Sequence, residues 1–184
     1  MSRRNALLLG PLSTLLALLL MTAVPQPAQA YTQRTYVTVA QGSSYCVQAT
    51  AGIDHLKPGV WSANQAWGTA YAFEADCVTP KVMKARIGLE VQRWDGSEWN
   101  WCVRASGATW IEGTTGTDAW GPTGPSANVT YDIGETWPDG TRIWCGGPGW
   151  YRTKVQAQVS RWDPFAARFL WTGGTLYSGD EWVE

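Results

Sequence analysis

An all-β fold, built as a tandem duplicated β module (a sandwich or two β-lobes) with two disulfides, is what three features of the 184-residue sequence predict. Apolar residues recur with a period of two. The 20 glycines and 10 prolines punctuate the chain at short intervals, and no long amphipathic helix is visible. Landmarks of the first half also return in the second half in the same order, the signature of an internal repeat.

Residues 1–30 read as an export signal. Arg3 and Arg4 form a positive start, Leu7 to Val24 is an apolar run broken by Gly10 and Pro11, and Ala28-Gln29-Ala30 is a small-x-small cleavage site. The opening partly resembles a twin-arginine signal, with Ala6 where that pattern wants a bulky apolar residue. Cleavage after Ala30 would remove Arg3 and Arg4 from the 14 Lys/Arg and none of the 15 Asp/Glu, leaving a balance of 12 against 15. No basic stripe remains to meet a phosphate backbone, and no second long apolar run remains to cross a bilayer. A secreted, extracellular protein binding neither nucleic acid nor membrane is expected. In an oxidising compartment an even count of cysteines reads as disulfides. Cys46, Cys77, Cys102 and Cys145 include no Cys-x-x-Cys pair, and the chain has one histidine, so zinc is disfavoured.

Residues 31–44, "YTQRTYVTVAQGSS", form an N-terminal arm outside the repeats. Tyr36, Thr38 and Ala40 alternate with Val37 and Val39, so the arm can pair with a sheet edge, its own or a partner's. Residues 45–100 and 101–175 are the two repeats, and residues 176–184 a C-terminal tail. Tyr45 to Thr50 ("YCVQAT") matches Trp101 to Ser106 ("WCVRAS"), and Ser62-Ala63-Asn64 recurs as Ser126-Ala127-Asn128. Cys77, Pro80, Val91 and Arg93-Trp94-Asp95 meet Cys145, Pro148, Val159 and Arg161-Trp162-Asp163 at one offset. Each repeat owns an early and a late cysteine, which favours Cys46–Cys77 and Cys102–Cys145.

Within the repeats, Met83, Ala85, Ile87, Leu89 and Val91 alternate with Lys84, Arg86, Glu90 and Gln92, a strand with one wet face. Val155, Ala157 and Val159 repeat the pattern. Asp95-Gly96 and Asp163-Pro164-Phe165 read as hairpin turns. Trp99 and Trp101 share one face of the returning strand, where core is the simpler role for large rings in a small domain. Trp94 and Trp162, each preceded by an arginine, suit cation–π stacks closing the hairpins.

Catalytic parts are missing. His55 sits beside Asp54 before a Pro-Gly turn, no Gly-x-Ser-x-Gly elbow exists, Asp95 and Asp163 look like turn residues, and Glu74 and Asp76 precede a cysteine in a strand-like stretch. No phosphate loop, EF-hand or metal cluster is present, so no enzyme activity, cofactor or metal is expected. Asn128-Val129-Thr130 is a glycosylation acceptor only in a host that uses it. Three classes remain. A protein–protein adaptor fits the duplicated body and the arm. A carbohydrate-binding module fits the 13 Trp, with Trp110, Trp120, Trp137 and Trp150 in Gly-rich loops. A protease or enzyme inhibitor needs an exposed disulfide-braced loop.

"YCVQATAGIDH", the "CGGPGWY" turn at Cys145 to Tyr151 and the tandem "RWD" hairpins resemble small secreted proteins of Streptomyces-type bacteria. In size, signal and layout the chain is similar to the adaptor subunit of umbrella toxin particles, extracellular antibacterial assemblies. That resemblance implies an adaptor joining a lectin-like subunit to a larger toxin-bearing subunit, with strand complementation at the joint and an arm entering the lectin's cleft. It carries over only to Tyr31–Ser44 as the arm, with Tyr31, Arg34, Tyr36, Val37 and Val39 as contact residues, and to the sheet edges as docking surface.

Overall fold

A computed structural model describes residues 31–54, 64–104, 110–131 and 147–183. The export signal, His55, Trp137 and Cys145 lie outside the described residues. Twelve strands and no helix form among the described ones: β1 (Tyr31–Gly42), β2 (Tyr45–Asp54), β3 (Asn64–Phe73), β4 (Lys84–Trp94), β5 (Trp99–Arg104), β6 (Ile111–Thr114), β7 (Gly116–Asp118), β8 (Gly121–Thr123), β9 (Ser126–Tyr131), β10 (Gly149–Asp163), β11 (Arg168–Tyr177) and β12 (Glu181–Val183). A four-stranded sheet runs β1-β2-β3-β9. A six-stranded sheet runs β11-β10-β4-β5, with β12 on β10 and β6 on β4, and β7 and β8 form a separate ribbon.

The two main sheets pack face to face over one core. Val47, Ala49, Ala51 and Ile53 of β2 and Ala66, Ala70 and Ala72 of β3 meet Ala85, Ile87, Leu89 and Val91 of β4 and Val155, Ala157 and Val159 of β10. The alternation in β4 and β10 is therefore as the sequence predicts, because a pleated strand sends successive side chains to opposite faces. Gln92 is the exception: it belongs to the wet parity yet is only 7% exposed, covered where Arg152 Nε donates to its Oε1 at 2.9 Å. Tyr131 and Tyr151 stack in the core at 5.7 Å between centroids, and burial pushes the Tyr151 phenol up to about 12. Between the sheets, the buried Thr153 hydroxyl donates to the Gly52 carbonyl at 2.8 Å.

Both halves of the sequence contribute to each sheet. β9 of the second half pairs with β3, and β4 of the first half lies between β10 and β5, so the halves share one core and are not separate lobes.

The arm is part of the fold. β1 pairs antiparallel with β2 from Tyr31↔Asp54 to Gly42↔Tyr45, with irregularities between Arg34 and Val37 and between Thr38 and Ala40. β1 also runs close to β11: a Cβ on Gly174 would meet the Val39 carbonyl oxygen at 2.2 Å, and Thr32 Oγ1 donates to Gly179 O at 3.3 Å. Residues 176–183, expected as a tail, end β11 and form β12. Cys46 and Cys77 are disulfide-bonded, tying β2 to the turn after β3. Cys102 is buried in β5, and its expected partner, Cys145, is not among the described residues.

Candidate functional site

Because the core is filled mainly by Ala, Val, Ile and Leu with two tyrosines, none of the described indoles is part of it. Trp101 is 54% exposed and Trp99 half-buried, so neither is core, contrary to the expectation from their size. Their parity was read correctly: Trp99 faces Trp94 and Trp101 faces Gln92 across the β4–β5 ladder, all on the outer side. Alternation groups side chains by face, but it is silent on which face the second sheet covers.

The outer side of the six-stranded sheet is a lattice of rings and guanidinium groups. Arg86 lies between Trp110 and Trp171, 4.2 Å from each centroid, and its Nε donates to Gln158 at 2.8 Å. Arg152 lies between Trp99 at 4.1 Å and Tyr177 at 4.0 Å. Desolvation by the rings lowers both guanidinium pKa values. Between these stacks Lys154 Nζ meets Glu90 Oε1 at 2.7 Å. Trp94 and Trp162 do not carry the expected stacks with their preceding arginines. Trp94 packs on Trp99 at 5.7 Å and Trp162 on Phe169 at 5.3 Å, because the residue directly across the ladder is nearer than a sequence neighbour on the other face.

One end of this face gathers four indoles on a single rung. Trp150 is directly opposite Trp182 of β12, and Trp94 directly opposite Trp99 of β5. Tyr151 pairs with Arg93, so one step on Trp150 comes beside Trp94 and the rung reads Trp182, Trp150, Trp94, Trp99. Trp94, Trp99, Trp150 and Asp180 line a groove of about 450 Å³. Of the expected sugar-binding indoles among the described residues, Trp150 lines it and Trp110 and Trp120 do not. Trp110 stacks on Arg86, and Trp120, 96% exposed, sits on the β7–β8 turn, its backbone N–H donating to Asp118 Oδ1 at 2.7 Å. That Trp94, Trp99 and Trp182 share a rung with Trp150 depends on three strand pairings that no local pattern in the sequence reveals.

The expected contact residues of the arm divide. Gln33 to Thr38 are all exposed, including Arg34, Tyr36 and Val37, whereas Val39 is partly buried against the core. Tyr31 stacks on Trp67 at 5.5 Å and Tyr36 on Tyr71 at 4.9 Å. Tyr36 has a φ of 51°, at the first irregularity of the ladder.

The acids serve turns and ion pairs. Asp95 Oδ1 accepts from the N–H groups of Ser97 and Glu98, both at 2.8 Å, and these bonds hold its carboxyl at about 2. Asp163 accepts from Phe165 and Ala166, and the Ala166 bond is the main cause of its lowered pKa. Glu74 pairs with Lys81 at 2.7 Å, and Asp76 caps the disulfide-braced turn through Val78 and Thr79. Among the described residues no cluster of three His, Cys, Asp or Glu could hold a metal ion. No family model, no curated protein and no solved structure matches the chain.

Proposed function

We propose that this chain is an exported, non-enzymatic adaptor, a tandem duplicate that joins a lectin-like subunit to a larger toxin-bearing subunit in an extracellular antibacterial particle. The observation that carries the reading is β1: an edge strand with six consecutive exposed residues, Gln33 to Thr38, among them Tyr36 and Val37. An exposed run of this kind on an edge strand is a ready contact surface for another chain. Its two irregularities and the positive φ of Tyr36 interrupt the ladder, which favours recognition through side chains over simple strand addition. The opposite edge of the same sheet, β9, keeps an uninterrupted register and pairs on its other side with no described strand. An adaptor needs two separate surfaces, and opposite edges of one sheet supply them. The Cys46–Cys77 disulfide accords with an extracellular location.

The test is affinity capture from spent medium of the source organism, comparing the wild-type mature chain with Tyr36→Ala/Val37→Asp. Both positions are exposed, so the fold should survive, as circular dichroism would verify. Wild type should recover a lectin-like chain and a larger toxin-bearing chain in one complex, identified by mass spectrometry, and the variant should lose at least the lectin-like chain. Recovery of neither chain by the wild type, or equal recovery by the variant, overturns the reading.

A further inference from the structure

We infer that the indole groove at the Trp150 end of the six-stranded sheet binds one or a few rings of a neutral sugar, a site independent of the proposed adaptor edges. The rung Trp182, Trp150, Trp94, Trp99 crosses four adjacent strands, and three inter-strand spacings give it a span of about 14 Å. The rings do not form a flat shelf. Trp94 and Trp99 are inclined at 54° and Trp150 and Trp182 at 74°; Trp94, Trp99 and Trp150 line the groove, and Trp182 packs edge-on against Trp150. Trp150 and Trp182 are 45% and 46% exposed, an expensive display of indole surface unless something covers it. A pyranose is a fitting cover: its C–H face packs on an indole while its rim of hydroxyls needs polar partners. Asp180, exposed at the groove, supplies a carboxylate to accept from those hydroxyls.

Charge decides among ligands. A trough of indoles with one carboxylate also resembles a cage for a quaternary ammonium. Here, however, the Arg152 guanidinium already covers a face of Trp99 at 4.1 Å and adds a fixed positive charge beside the groove. Asp180 acts electrostatically on that same guanidinium and offsets it, so neither a cation nor an anion gains a net attraction, and a neutral polyhydroxylated ring is the better match. The other hairpin gives the contrast: Trp162 pairs with Phe169 in the same way, but among the described residues no second indole pair stands beside it, Asp163 is engaged by the turn amides, and Phe165 stands fully exposed at the tip.

The test titrates the full mature chain with chitohexaose, cellohexaose and xylohexaose, reading tryptophan fluorescence and calorimetry, with polygalacturonate and choline as charged comparators. At least one neutral oligomer should bind, with Kd weakened by about tenfold or more in Trp150→Ala and in Trp94→Ala, a loss of roughly 1.4 kcal/mol per decade. Asp180→Asn should weaken binding while leaving the fold unchanged, which keeps the test valid if an indole variant misfolds. Trp120→Ala, away from the groove, should bind as wild type. No binding of any neutral oligomer at about 5 mM, a Kd indifferent to both Asp180→Asn and Trp150→Ala, or tighter binding of choline or polygalacturonate overturns the assignment.

Discussion

Replacing Cys46 and Cys77 together by Ala removes a crosslink between the second strand and the turn after the third. The bond joins residues 31 apart, and the chain-entropy relation for that loop gives about 12 cal/mol/K, or about 3.7 kcal/mol at 25 °C. Cys46 is fully buried, so the truncated side chain adds a packing loss to the entropic one. At about 2.1 cal/mol/K per residue, a folded body of about 150 residues unfolds with an entropy near 0.3 kcal/mol/K, so the midpoint should fall by roughly 12 °C. Substitution is the better perturbation, because a reductant would open every disulfide at once. The assay is urea unfolding followed by tryptophan fluorescence, with a thermal scan by circular dichroism. A midpoint within about 2 °C of wild type, corresponding to less than roughly 1 kcal/mol, would refute the view that this loop closure is a principal stabiliser of a body with an Ala-rich core.

Two further outcomes follow from single contacts. Asp95, whose carboxyl is held at about 2 by the Glu98 and Ser97 amides, should titrate in an NMR experiment well below an ordinary aspartate; its folded pKa is depressed, so its contribution to stability is complete above about pH 4 and is lost as pH falls toward 2. A midpoint near 3.8 would show that the turn bonds do not form in solution. Gly174→Ala places a Cβ 2.2 Å from the Val39 carbonyl oxygen, so the first strand must move from β11 or the variant must lose about 1–3 kcal/mol; faster hydrogen exchange across Gln33 to Ala40 would locate the change, and unaltered stability and exchange would refute the close approach.

Alternation carried the all-β assignment well. Met83 to Val91 and Val155 to Val159 place their side chains as a period of two requires, and Asp95 and Asp163 cap the turns expected of them. These are local properties: the pleat decides which side chains share a face, and a short carboxylate next to two free amides will cap a turn whatever surrounds it. Trp99 and Trp101 mark where that reasoning stopped. Ring size argued for burial, yet Ala49, Ala51, Ala66, Ala70, Ala85 and Ala157 fill the space between the sheets and leave little room for an indole.

By itself, then, the sequence determined the strands, their faces, the turn residues and the order of recurring landmarks. The tertiary structure decided that the arm pairs with β2, that both halves share each sheet, and that Trp94, Trp99, Trp150 and Trp182 lie on one rung. The physical reason is that strand conformation is set by interactions between near neighbours along the chain. Choosing a pairing partner depends instead on the free energy of burying whole faces together, which residues 88 positions apart, such as Trp94 and Trp182, express only after the sheet has formed.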